Sequence, residues 1–122
     1  MVKSFTLNRS SKMRSREDVL ADLVNLSSEL LGLQRELSKY PWDTENSLLI
    51  IKKTDFSKIL LRSIEGEITF KDLEDWANMI ECRDDLGFET FEIQEFIFEL
   101  SNPEINGIIT KQRLQEILKE LA

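Results

Sequence analysis

The fold is decided first by residues 15–38, SREDVLADLVNLSSELLGLQRELS. Apolar residues recur in this stretch at alternating spacings of four and three, at Val19, Leu23, Leu26, Leu30, Leu33 and Leu37. Heptad spacing of this kind keeps apolar side chains on one side of a helix, and further apolar residues widen that side to about half of the helix circumference. The stretch therefore predicts one helix from Ser15 to about Ser38, packed at the centre of a helical bundle.

Threonine residues mark the starts of four further predicted helices, at Thr54, Thr69, Thr90 and Thr110. Threonine is a preferred N-cap residue because its hydroxyl accepts a hydrogen bond from a backbone N–H of the first turn. The apolar run at residues 48–51 indicates a short extended segment. We therefore expect an all-α fold, a compact bundle of about five helices. It forms a single domain of residues 15–122, preceded by a flexible basic tail of residues 1–14.

The charge of the chain is unevenly distributed. The chain has 16 basic and 23 acidic residues and a net charge of −7. Residues 1–16 carry five basic residues and no acid, a charge of +5, which leaves −12 for residues 17–122. An acidic body repels phosphate backbones and anionic lipid headgroups, so neither nucleic acid nor a membrane is expected as a partner. A basic protein surface is the natural charged partner, and solubility is the alternative explanation of the charge.

The residue types that most active sites need are missing from the sequence. The chain has no histidine, the commonest general base, and no glycine-rich phosphate loop. Its single cysteine, Cys82, excludes an internal disulfide and is typical of a reducing compartment. We therefore expect no enzymatic activity and no cofactor. No apolar run is long enough to span a membrane, and a cytoplasmic location is expected.

Two acidic regions carry residues of the type that bind metal ions. The clustered carboxylates Glu81, Asp84, Asp85 and Glu89 could hold Mg²⁺ or Ca²⁺, but helix capping and pairing with Arg83 explain them without a metal. The segment 102–113 resembles a calcium-binding loop around Gly107, yet Arg113 stands where such a loop needs a bidentate glutamate. No metal ligand is therefore predicted.

The predicted helix 90–100 carries apolar residues on two sides. One side is the expected core face, with Ile93, Phe96, Ile97 and Leu100. Phe91 and Phe98 share another side, next to a stripe of glutamates. They either pack against neighbouring helices or point outward as anchors for a partner. The residues predicted to bind a partner are those of this side and of the acidic corner before it: Asp84, Asp85, Glu89, Phe91, Glu92, Glu95, Phe98 and Glu99.

A set of short motifs carries a resemblance to a known group of proteins. They are Tyr40-Pro41-Trp42-Asp43, Gly66-Glu67-Ile68-Thr69, Asp72-Leu73-Glu74, Trp76-Ala77-Asn78, Arg83-Asp84-Asp85, Gly87-Phe88-Glu89 and Asn102-Pro103-Glu104-Ile105-Asn106-Gly107. Over the region that these motifs span, about two thirds of the chain, the sequence resembles a family of small bacterial helical proteins. Some of these are similar to the immunity proteins of contact-dependent inhibition and polymorphic toxin systems. The resemblance implies binding to a toxin and implies no catalytic residue.

Two functions from different classes follow as hypotheses. In the first, the chain is an immunity-type protein that binds and neutralises a cognate toxin domain with a basic surface, a nuclease being one candidate. In the second, it is a self-associating structural or adaptor protein, a homodimer joined along the heptad seam of the first predicted helix.

Overall fold

A computed structural model describes residues 15–40 and 47–122 of the chain. The predicted tail, residues 1–14, and most of the Tyr40-Pro41-Trp42-Asp43 motif lie outside the described residues. Within the described ranges seven helices and two short strands follow one another: α1 Arg16–Asn25, α2 Leu30–Leu37, β1 Leu49–Ile51, α3 Lys53–Ile64, α4 Phe70–Glu81, β2 Leu86–Phe88, α5 Phe91–Ser101, α6 Pro103–Asn106 and α7 Lys111–Leu121. The predominance of helix confirms the all-α prediction, and β1 confirms the extended segment expected near residues 48–51.

The prediction of one helix from Ser15 to Ser38 is wrong, because the chain breaks between α1 and α2. Leu26 adopts a left-handed conformation, with φ 48° and ψ 48°, and the N–H of Ser27 donates back to the carbonyl of Asp22. Arg62 of α3 stabilises this end of α1, since its Nη1 donates to the carbonyls of Asn25 at 2.6 Å and Leu26 at 3.2 Å. The break thus depends on a residue that is distant in sequence.

The heptad residues of α1 and α2 lie in the core of this chain. Val19, Leu23, Leu33 and Leu37 are buried, and the two remaining heptad leucines are partly buried against the same core. Trp76 of α4 contacts the backbone of α1, because its Nε1 donates to the carbonyl of Leu23 at 2.8 Å. The apolar heptad residues therefore pack within the core of the same chain.

Hydroxyl caps set the starts of four helices as predicted. The side chains of Ser15, Thr69, Thr90 and Thr110 each accept a hydrogen bond from the backbone N–H three residues later. The predicted cap at Thr54 is wrong, since α3 begins at Lys53 and Thr54 lies inside its first turn. Two backbone N–H groups at this end of α3 donate instead to carboxylates, that of Lys52 to Asp55 and that of Lys53 to Glu89.

The two strands form a small parallel sheet that fixes the position of the acidic corner, which we define as Asp84, Asp85 and Glu89. Leu49, Ile50 and Ile51 pair with Leu86, Gly87 and Phe88 in that order. The ladder continues at both ends, where the N–H of Leu48 donates to the carbonyl of Asp85 and the N–H of Glu89 donates to that of Ile51. This pairing positions Asp85 and Glu89 at opposite ends of β2, immediately before α5.

Candidate protein-binding face

The inner side of α5 is part of the core, as predicted. Ile93, Phe96, Ile97 and Leu100 are buried, and α5 packs mainly against α4. The hydroxyl of Thr90 accepts from the N–H of Ile93 at 3.4 Å and fixes the first turn. The orientation of the opposite side of α5 follows from this packing.

That opposite side presents two phenylalanines to solvent. Phe91 is 71% exposed and Phe98 is 50% exposed, so the interpretation that both pack inside is wrong. Residues 91, 95 and 98 lie above one another on a helix, because neighbours three and four apart share a side. Glu95 therefore stands between the two rings. We call Phe91, Glu92, Glu95 and Phe98 the α5 face.

The two glutamates of the α5 face, Glu92 and Glu95, form no ion pair with the described part of the chain. Both side chains are exposed. A shallow depression of about 370 Å³ runs along the face, lined by Glu81, Phe91, Gln94, Glu95, Phe98, Glu99 and Asn106. The face thus combines an apolar surface with unpaired negative charge.

Asp85 does not belong to this surface, which corrects its predicted role. Its side chain is 1% exposed, and two arginines hold its carboxylate: Arg83 bonds both oxygens at 2.8 Å, and Nε of Arg16 bonds Oδ2 at 2.9 Å. Burial by itself raises the pKa of Asp85, but the hydrogen bonds from Arg83 and Arg16 outweigh it and hold the pKa below the ordinary value. The buried aspartate ties the first turn of α1 to the start of β2.

Glu99, the third glutamate of the predicted stripe, is neutralised by Arg113 of α7. Two parallel hydrogen bonds of 2.7 Å join the guanidinium to the carboxylate, and the guanidinium also lies 5.7 Å from the ring centre of Phe96. The bond to Glu99, together with that to Glu116, raises the pKa of Arg113 above its already high value. Glu99 therefore closes one end of the α5 face and offers no free charge to a partner.

A comparison of the chain with protein-family models, with curated proteins and with solved structures finds no match. The functional argument therefore depends on the geometry of the described residues.

Two exposed isoleucines near the end of α5 were not predicted as part of a site. Ile105 of α6 is 77% exposed and Ile108, after it, is 82% exposed. The turn between them is held by the carbonyl of Pro103, which accepts from the N–H of Gly107 at 2.8 Å. Asn106 of this turn also lines the depression of the α5 face. Each isoleucine lies in or beside a polar turn, and no role was assigned to either of them from the sequence.

Glu89 has a structural role as well as a place beside the α5 face. Its Oε1 accepts the hydrogen bond from the N–H of Lys53 at 2.8 Å and so caps α3 from another element. Asp84, its neighbour in the acidic corner, is exposed. The bond from Lys53 uses Oε1, and the side chain is exposed, so Oε2 can still accept a hydrogen bond from a partner.

Replacing Glu89 by Ala is expected to lower the free energy of unfolding by about 1 kcal/mol, the usual effect of losing a helix cap. Urea denaturation followed by circular dichroism measures this change. Glu92→Ala is the matched control, because Glu92 is exposed and the cap of its own helix is Thr90. Equal stabilities of the Glu89→Ala variant and the wild-type chain would show that the bond to Lys53 contributes nothing.

Among the described residues no group of three or more acidic or cysteine side chains is placed to hold a metal ion. Cys82 is exposed and lines a depression of about 400 Å³ between α2 and α4. In the described ranges no helix is long and apolar enough to cross a membrane.

Proposed function

We propose that this chain is an immunity-type protein that binds and neutralises a cognate toxin domain through the α5 face. The observation that carries the proposal is the pair of exposed rings, Phe91 and Phe98, with the unpaired carboxylate of Glu95 between them. The toxin domain would present a basic surface, as a nuclease does. The motif resemblance to immunity proteins supports the same function.

The phenylalanines supply the affinity in this proposal. A phenylalanine side chain buries roughly 150–250 Å² when it is covered, and aromatic residues at the centre of an interface often dominate the binding energy. The rings of Phe91 and Phe98 are largely unburied by their own fold. Covering them with a partner would remove this apolar surface from water, which favours binding.

In this proposal the glutamates of the α5 face attract the basic partner and select its orientation. Seven acids and no basic residue lie between Asp84 and Thr110. Asp85 and Glu99 are held by arginines, so the carboxylates of Glu92 and Glu95 are the ones available to a cation beside the rings. Negative potential of this kind speeds the approach of a basic partner and selects its orientation.

Self-association along the heptad seam is less well supported. Four of the six seam residues are buried and the other two are partly buried against the same core, so a dimer that used them would first have to open the fold. A dimer through two α5 faces would bring the glutamates of both copies together, and like charges at an interface are unfavourable. Binding of a basic partner to the α5 face requires no opening of the fold and brings no like charges together.

Co-expression with a candidate toxin tests the proposal. The candidate is the product of the gene adjacent to the one that encodes this chain. We expect that product to stop growth when expressed alone and the wild-type chain to restore growth. The Phe91→Ala/Phe98→Ala double variant should fail to restore it. The Leu31→Ala/Leu61→Ala variant is the matched control, because those leucines are 59% and 45% exposed on other helices.

Two results would contradict the proposal. In one, the wild-type chain fails to restore growth against a product that is toxic alone. In the other, the phenylalanine variant is produced at wild-type levels and protects as well as the wild-type chain does.

A further inference from the structure

We propose that two copies of this chain exchange α1, so that each copy packs its α1 into the body of the other. The hinge of the exchange is the break between α1 and α2, residues 26–29, which becomes helical in the dimer. The partner is thus a second copy of this chain. The inference is independent of the toxin hypothesis, because the α5 face is not part of the hinge and no other protein is needed.

The hinge holds a leucine in a conformation that leucine rarely adopts. Leu26 has φ 48° and ψ 48°, and it is the one residue other than glycine with a positive φ in the ranges 15–40 and 47–122. In this left-handed conformation Cβ lies too close to the following carbonyl oxygen, which is why helices that end this way usually carry glycine. A right-handed helix through the hinge would remove this steric strain.

The sequence around the hinge favours a continuous helix. The heptad leucines continue across it without a change of spacing, and residues 16–31 contain neither glycine nor proline. Leucine is also among the strongest helix-forming residues. A helix over residues 16–37 would be about 33 Å long, close to the diameter of a small domain. Such a helix would carry α1 away from its own body and into that of a second copy.

A contact with α3 keeps the hinge closed in the single chain. Nη1 of Arg62 donates to the carbonyls of Asn25 at 2.6 Å and Leu26 at 3.2 Å. In a continuous helix the same carbonyls would accept from the N–H groups of residues 29 and 30. The bend therefore depends on a side chain from outside the hinge, and the alternative helix satisfies the same carbonyls without it.

The contacts that bury α1 can form within one chain or between two. Nε1 of Trp76 donates to the carbonyl of Leu23 at 2.8 Å, and Nε of Arg16 donates to Asp85 at 2.9 Å. In the exchanged dimer each of these bonds joins α1 of one copy to the body of the other, and the heptad residues stay buried. The two states therefore differ mainly at the hinge, as in other proteins that exchange an identical element between copies.

Chain concentration decides which of the two states is populated. A short linker gives a tethered segment an effective concentration in the millimolar range, so α1 returns to its own body when the chain is dilute. Relief of strain at both hinges favours the dimer and lowers the concentration at which it forms. We therefore expect a monomer in dilute solution and an exchanged dimer at millimolar chain concentration.

Cys82 provides the probe for a test on the full chain. It is the single cysteine and it is exposed. The neighbouring Arg83 shares the carboxylate of Asp85 with Arg16, at the start of α1. A nitroxide on Cys82 therefore lies near the first turn of whichever α1 occupies that body, and it broadens the NMR signals of the amides in that turn.

Mixed dimers show whether α1 changes bodies. An excess of nitroxide-labelled chain without ¹⁵N is refolded from urea at millimolar concentration together with ¹⁵N-labelled Cys82→Ser chain, and the dimer is isolated by gel filtration. We expect the amide signals of residues 16–19 of the ¹⁵N-labelled chain to lose most of their intensity. The signals of residues 78–81 should keep theirs, because the body of that chain carries no label. Absence of a dimer, or a dimer in which residues 16–19 keep their intensity, overturns the inference.

Two substitutions at one position test the hinge itself. Leu26→Gly and Leu26→Ala both truncate the leucine side chain, but only glycine adopts a positive φ without steric cost. Glycine also disfavours a continuous helix relative to alanine. We expect the Kd of the dimer, measured by sedimentation equilibrium, to be at least about 100-fold higher for Leu26→Gly than for Leu26→Ala, a factor of roughly ten for each of the two hinges. Equal Kd values for the two variants would contradict exchange through this hinge.

Discussion

Replacing Asp85 by Ala is expected to lower the free energy of unfolding by about 3 kcal/mol, the lower end of the range for breaking a buried ion pair. The change leaves Arg16 and Arg83, whose side chains are 11% and 14% exposed, without the carboxylate that both contact. Urea denaturation of the purified variant measures the loss. Asp84→Ala is the matched control, because Asp84 is the exposed neighbour and surface substitutions usually change stability by less than about 0.5 kcal/mol.

The pH dependence of stability tests the same contact. Arginine hydrogen bonds hold the pKa of Asp85 below its ordinary value in the folded chain, against the opposite effect of burial. The stabilisation is therefore fully present above the unfolded pKa of about 4 and is lost as the pH falls through the lower folded pKa. The Asp85→Ala variant should show a shallower loss of stability in acid. Identical acid profiles of variant and wild type would contradict the role of the ion pair.

Under the proposed function, replacing Phe91 or Phe98 by Ala is expected to weaken binding to the proposed toxin domain by about 2 kcal/mol each, or roughly 30-fold in Kd. The loss should appear mainly as faster dissociation, because short-range contacts determine the lifetime of a complex. Surface plasmon resonance measures both rate constants. Leu61→Ala, on α3, should leave them unchanged, since that exposed side chain lies on another helix.

The stability of the phenylalanine variants separates binding from folding. Because both rings are half exposed or more, each substitution should change the free energy of unfolding by about 0.5 kcal/mol or less. A loss of several kcal/mol would mean that the rings serve the core, and any effect on binding would then be indirect. Unchanged dissociation of both variants would remove the phenylalanines from the interface.

Much of the helical pattern could be predicted from the sequence because its causes are local. Thr69, Thr90 and Thr110 cap helices through bonds to residues three positions away, and apolar periodicity identified the buried side of α5. Such relations lie within one or two helical turns. They require no knowledge of which elements meet.

The errors concern residues whose role is set by distant contacts. The end of α1 depends on Arg62 of α3, and the start of α3 depends on Glu89. Asp85 looked like one more surface carboxylate, yet strand pairing and two arginines bury it. Periodicity also could not distinguish a second buried side of α5 from an exposed one, because exposure depends on which elements pack against the helix.

Association kinetics give the most direct test of the α5 face. Glu92→Lys/Glu95→Lys, measured by stopped flow against the proposed toxin domain at low salt, should reduce the association rate constant by at least about 10-fold, the lower end of electrostatic steering. The difference from the wild-type chain should shrink toward zero near 1 M salt, where the screening length is about 3 Å. An association rate constant that is unchanged at low salt would contradict binding of a basic partner through this face.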